Sequence, residues 1–199
     1  MRKATALVAA AGLLLAATAA CSSNPGTPAP ASSAAPSAPA SSGPNVPKVP
    51  APLTVAKYEQ DPCSLLTAAQ ANEVIKSVRT TKAAGNAAPI CTWFDADDSG
   101  LTIGFLPHQG GLATIYQNSG DSTAGYFKPA PDVAGYPAAF FSNMDDRSRG
   151  GCQVAVGVTD DEVFTSSVLL QQSSPSYADP CALAAKAAAA AVTTIKAGA

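Results

Sequence analysis

The chain has one histidine, one tryptophan and two methionines in 199 residues, and only 13% of its residues are charged. So little imidazole leaves scant material for proton transfer near neutral pH, because histidine is the side chain that ordinarily titrates there. No two cysteines stand as Cys-x-x-Cys, and His108 is the only imidazole, so the close ligand pairs of a zinc site are missing. No serine lies three residues before a lysine, which removes the Ser-x-x-Lys arrangement of penicillin-recognising enzymes. A glycine-rich phosphate loop is absent as well. Basic residues are not in excess: 12 stand against 14 acidic ones, so nothing draws the chain to nucleic acid. The sequence therefore points to no cofactor and no metal.

What is present begins with an address. Met1-Arg2-Lys3 is a short positive segment, Ala4 to Ala17 is apolar, and Thr18-Ala19-Ala20 places small residues just before Cys21. This is the pattern of a bacterial lipoprotein signal over residues 1–20. Cleavage before Cys21 would leave a cysteine carrying diacylglycerol and an amine open to acylation, as by palmitate. An ordinary secretory signal competes with this reading, since Thr18 stands where the lipoprotein pattern prefers Leu. A retained membrane helix is the third option, but the apolar run falls short of the roughly 20 residues that span a bilayer.

Residues 22–52 are almost wholly Ser, Pro, Ala, Gly and Thr, with Lys48 as the one charge and no aromatic residue. Such a composition cannot bury enough apolar surface to fold, so 21–52 is expected to be a lipidated cysteine followed by a disordered linker. At about 3.1 Å per residue in the polyproline II form, it reaches on the order of 90 Å from a membrane. Residues 53–199 are the size of one domain. Without Arg2 and Lys3, 10 basic residues face 14 acidic ones, a net charge near −4.

Beyond Cys21 the cysteines form an even set, Cys63, Cys91, Cys152 and Cys181, which in an exported chain reads as two disulfides. Four cysteines allow three pairings. Cys63 with Cys91 and Cys152 with Cys181 is the favoured one, because each joins a strand cysteine to the nearest cysteine at a helix start. The nested alternative joins Cys63 to Cys181 and Cys91 to Cys152.

Asp61-Pro62-Cys63 and Asp179-Pro180-Cys181 each place an N-terminal acceptor and a first-turn proline before an apolar pattern, so both predict helix starts. The first helix is expected to run to about Val78; the second, rich in alanine, can lie close against a sheet. Cys91 to Phe94 and Leu101 to Leu106 read as strands joined by a turn at Asp95 to Gly100. Leu112 to Gln117 reads as a short helix. Val133 to Ser142, Cys152 to Thr159 and Val163 to Leu170 read as further antiparallel strands. The expectation is an α+β fold with helices packed on an antiparallel sheet.

Asp61 to Thr67 (D-P-C-x-L-L-T), Cys91 to Trp93 (C-T-W), the V-x-G-Y-x-A-A-F segment from Val133 to Phe140, Cys152 to Val156 (C-x-V-x-V) and the closing D-P-C helix together resemble the actinobacterial lipoproteins grouped as domain of unknown function 3558. The resemblance spans nearly the whole folded part. It implies an exported, anchored α+β domain related to PsbP-like sandwiches, and it implies no activity.

Candidate chemistry is sparse. Ser122, in a Gly-Asp-Ser setting, could join His108 and an aspartate in a hydrolase triad, although a Gly/Ser loop accounts for the same residues. Asp95-Ala96-Asp97-Asp98-Ser99-Gly100 matches the opening of a calcium-binding EF-hand loop. Its twelfth position is Leu106, however, where a bidentate Glu is required, so a hairpin turn is expected. Among the aromatic residues, the adjacent pairs Tyr126-Phe127 and Phe140-Phe141 are notable because neighbours in a strand point to opposite faces. Tyr126 and Phe141 are taken as exposed binding candidates on that ground. The functional expectation is a non-enzymatic lipoprotein, anchored through its lipid on the extracytoplasmic face of the cell membrane, that binds an envelope protein or wall component. An accessory regulator of a membrane sensor is the alternative, and a Ser122–His108 hydrolase comes third.

Overall fold

The computed structural model describes residues 45–118 and 125–198. Their elements run α1 (Ala56–Gln60), a 3-10 turn (Pro62–Leu65), α2 (Ala68–Ile75), β1 (Arg79–Ala84), β2 (Pro89–Phe94), β3 (Gly100–Leu106), α3 (Gly111–Asn118), β4 (Tyr126–Val133), β5 (Tyr136–Ser142), a second 3-10 turn (Arg147–Arg149), β6 (Gly151–Gly157), β7 (Val163–Leu169) and α4 (Pro180–Ala197). The strands form one antiparallel sheet in the order β1-β2-β3-β7-β6-β5-β4. This is the α+β architecture expected from the sequence.

The single helix expected from Pro62 to about Val78 is instead two pieces. Leu66 is extended, and Thr67 restarts the chain as an N-cap: its hydroxyl accepts from Gln70 N while Gln70 Oε1 accepts from Thr67 N. This reciprocal capping box outcompetes continuation of the first turn. Lys76, in the left-handed region, then ends α2. Asp61 caps nothing and pairs with Lys82 at 3.2 Å, whereas Asp179 does accept from Ala182 N at 3.2 Å. The strand expected over 133–142 is the end of one strand and the whole of the next. Val133 pairs with Tyr136 across Ala134 and Gly135, both with positive φ, the geometry of a two-residue hairpin turn.

Strand alternation gives the sheet two apolar faces. On one, Cys91, Trp93, Leu101, Ile103, Phe105, Val154, Val156, Phe164 and Val168 belong to a core with Leu183, Ala184, Ala187, Ala188, Ala191, Val192 and Ile195 of α4. The alanines let the helix axis approach closely. Ser166, fully buried on β7, donates across this interface to the Ala184 carbonyl at 3.0 Å. On the other face, Ala139, Ala155 and Val163 pack under Leu112, Ile115 and Tyr116 of α3.

Residues 45–52, expected within the linker, already touch the domain. Val46 packs on the α3 cluster and Val49 on the main core, and Leu53 N donates to Val158 O at 2.9 Å.

Candidate functional site

Helix α4 lies over β6 and β7, and its flank toward β4 and β5 is built from Ala182, Ala185 and Ala189. Methyl groups cannot reach the outer hairpin. Opposite them stand Phe140 of β5 and Lys128 and Ala130 of β4, with Lys128 and Phe140 paired across the strands. The space between is a cavity of about 600 Å³, within the roughly 300 to 1,000 Å³ of small-molecule sites.

Two covalent and polar restraints hold its walls. The Cys152–Cys181 disulfide, with Cα atoms 5.1 Å apart, fixes the first turn of α4 to β6. Asp179 caps that same turn. At the mouth, the Arg147 guanidinium lies 3.5 Å above the ring of Tyr126, a cation–π contact. Arg147 also donates to both oxygens of Asp145, at 2.8 and 2.7 Å. Those bonds hold the Asp145 carboxyl down to about 2. Arg149 beside it pairs with Asp146. Lys128 and Asp132 are exposed on the rim, and neither has an ion-pair partner among the described residues. The arrangement suits an apolar group seated on Phe140 and the alanines, with a polar end near Lys128.

Both disulfides are the favoured pairs: Cys63 with Cys91 and Cys152 with Cys181. Cys21 and Ser122 lie outside the described residues. His108 is exposed, with a positive φ, and its Nδ1 stands 3.7 Å from an Asp161 oxygen. Asp95 makes a hairpin turn: its Oδ1 accepts from Asp97 N and Ser99 N at 2.9 and 2.8 Å, so it holds its own backbone. Among the described residues no three or more His, Cys, Asp or Glu side chains gather as metal ligands.

Tyr126 and Phe141 are half-buried rather than exposed, and so are their neighbours Phe127 and Phe140. The reason is that both faces are covered here: Phe140 packs on the α4 core, while Phe127 and Phe141 pack on the α3 cluster. Only Tyr126 of the two candidates lines the β4–α4 cavity. Sequence reasoning missed Arg147 and Lys128. The alanine spacing in α4 was a visible signal, but its meaning depends on which strands the helix leaves uncovered.

No helix among the described residues is long and apolar enough to cross a membrane. No curated protein and no solved structure matches the chain. The family model described as Protein of unknown function (DUF3558) matches residues 16–194, and the chain belongs to that family.

Proposed function

We propose that this protein is a lipid-anchored, extracytoplasmic and non-enzymatic binding module, which captures an envelope component by seating one of its apolar groups in the β4–α4 cavity. The cavity carries the reading. It is of ligand size, its floor is apolar, and a disulfide and a helix cap hold its wall in place before anything binds. Preformed sites avoid the cost of ordering their walls on binding. The location rests on the charged, apolar and small-residue segments that precede Cys21, on the Pro/Ser stretch that follows, and on disulfides that suit an oxidising compartment.

Filling the cavity tests the binding reading. Ala185→Trp projects an indole toward Phe140 from a half-buried position. With an anilinonaphthalene sulfonate as fluorescent probe, the unaltered protein should bind and the variant should lose at least about tenfold in affinity at an unchanged unfolding midpoint. Equal binding by both proteins would remove the cavity from consideration. For the location, Cys21→Ser should move the protein from the membrane fraction to the soluble one, and continued membrane retention contradicts the anchor.

A further inference from the structure

The sheet ends in two unlike edges. Strand β4, at one end, carries Pro129, Pro131 and a register shift between Ala130 and Val133, devices that keep another strand from adding there. Strand β1, at the other, has six residues, all exposed, and no proline. Its two cations are turned back onto their own chain. The Arg79 guanidinium carbon stands 3.8 Å from the centre of the Phe94 ring and the group donates to Asp98 at 2.9 Å, while Lys82 donates to the Gln60 carbonyl at 2.7 Å and to Asp61 at 3.2 Å. Gly85 N donates to Ala88 O at 3.1 Å, which closes the β1–β2 hairpin and sets the alternation along the ladder. The backbone N–H and C=O groups of Thr80, Lys82 and Ala84 therefore point away from β2, the one strand that β1 pairs with.

Thr80 is paired with Trp93, so its side chain shares the face that carries the main core. On that face a cavity of about 310 Å³ opens between β1 and α2, lined by Thr80, Trp93, Leu66, Ala68, Ala71 and Cys63. Trp93, Leu66 and Ala71 are buried, which makes its floor apolar. A strand added to β1 places the residue opposite Thr80 over this cavity. Where α2 hands over to β1, Lys76 is exposed and has no ion-pair partner among the described residues.

We propose that β1 is a docking edge for an extended peptide segment of an envelope protein, which adds a further strand antiparallel to β1, seats an apolar side chain in the cavity opposite Thr80 and sets an acidic side chain by Lys76. The acid stands two residues beyond the apolar one, because a period of two returns it to the same face. In strand addition of this kind the main-chain bonds supply affinity and the pocket for alternate side chains supplies selectivity. A second copy of the chain fits less well: stable pairs engage about 20 to 30 residues a side, and this edge offers six. The site is separate from the β4–α4 cavity, which lies at the opposite edge of the sheet.

The probe is a fluorescein-labelled, amidated hexapeptide, Thr-Val-Thr-Val-Thr-Asp, titrated against the full chain by anisotropy. It should bind saturably and slow amide hydrogen exchange at Thr80 and Lys82, whose N–H groups face outward. Thr80→Pro removes one of those donors at an edge position where proline is tolerated, and should abolish binding at an unchanged unfolding midpoint. Ala68→Trp fills the cavity from an exposed position on α2, leaves the strand untouched, and should cost at least about tenfold in affinity. Replacing the peptide's aspartate by asparagine should weaken binding severalfold, and Lys76→Glu should do the same. Ala185→Trp, which fills the other cavity, should bind the peptide as the unaltered chain does. Failure of the peptide to bind, or equal binding by Thr80→Pro, would overturn the proposal. So would a concentration-dependent dimer of the unaltered chain with Thr80 and Lys82 protected, which would assign the edge to a second copy.

Discussion

The Arg147 guanidinium carbon stands 3.5 Å from the centre of the Tyr126 ring while one edge of the group, Nε and Nη2, donates to the two oxygens of Asp145, so a residue from a 3-10 turn and one from the edge strand β4 form a single unit at the cavity mouth. The planar guanidinium makes this double contact, which an ammonium cannot reproduce.

Arg147→Ala should therefore release Asp145, whose titration midpoint, followed by NMR, rises from about 2 toward the ordinary aspartate value of about 3.9. Arg147→Lys should recover only part of the depression. A lowered folded-state value means the pair contributes above the unfolded value and is lost as pH falls through about 2. The pair lies at the surface, so the readout is the titration itself; an unchanged Asp145 midpoint in Arg147→Ala would contradict the assignment.

The two disulfides close loops of similar length, with sequence separations of 28 and 29. Removing either by paired Cys→Ala substitution should cost about 3 kcal/mol in urea unfolding, through the freedom regained by the unfolded chain. Probe binding should separate them. Cys152→Ala with Cys181→Ala frees the first turn of α4 and should weaken naphthalene sulfonate binding severalfold, whereas loss of Cys63–Cys91 acts on the far end of the sheet and should leave it unchanged.

Ser166 and Ala184 make a third test. Their bond crosses from sheet to helix within a close-packed alanine interface. Ser166→Ala should lower stability by about 1 kcal/mol, the net worth of one hydrogen bond. Ser166→Val adds volume at a fully buried position against α4, and should cost a further 1 to 3 kcal/mol, roughly. Equal unfolding midpoints for the two variants would show that the interface is loose.

The strands that could be read from the sequence are those buried on at least one face. Cys91 to Phe94, Leu101 to Leu106, Cys152 to Gly157 and Val163 to Leu169 carry the apolar residues that pack under α4, and their periodicity follows from that burial. Strand β1, Arg-Thr-Thr-Lys-Ala-Ala, is exposed along its whole length, so no alternation marks it. Strand β4 is concealed by Pro129 and Pro131, which an edge strand tolerates because one side of its backbone needs no partner. The break at Leu66 is encoded by Thr67 and Gln70, whose capping box starts a new helix just after the turn that Asp61-Pro62 begins. The disulfide pairs were legible because each joins neighbours in the chain's own topology. The cavity was not, because it arises where small side chains on α4 face an overhanging hairpin, and that relation exists only after the sheet order is set.

Tyr126 and Phe141 belong to different environments, which gives a prediction that separates binding from packing. Phe141 packs with Phe127 on the α3 cluster, where Tyr116 meets Phe127 edge-on at 4.9 Å. Phe141→Ala should therefore destabilise the fold by about 2 kcal/mol, less than the 3 to 5 kcal/mol of a fully buried aromatic, because the side chain is only half-buried. Tyr126 sits under Arg147 at the cavity mouth, and Tyr126→Ala should weaken probe binding about tenfold with little change in the urea midpoint. The opposite partition, with Phe141→Ala abolishing binding in a fully stable protein and Tyr126→Ala leaving it intact, would move the binding surface to the α3 side of the sheet.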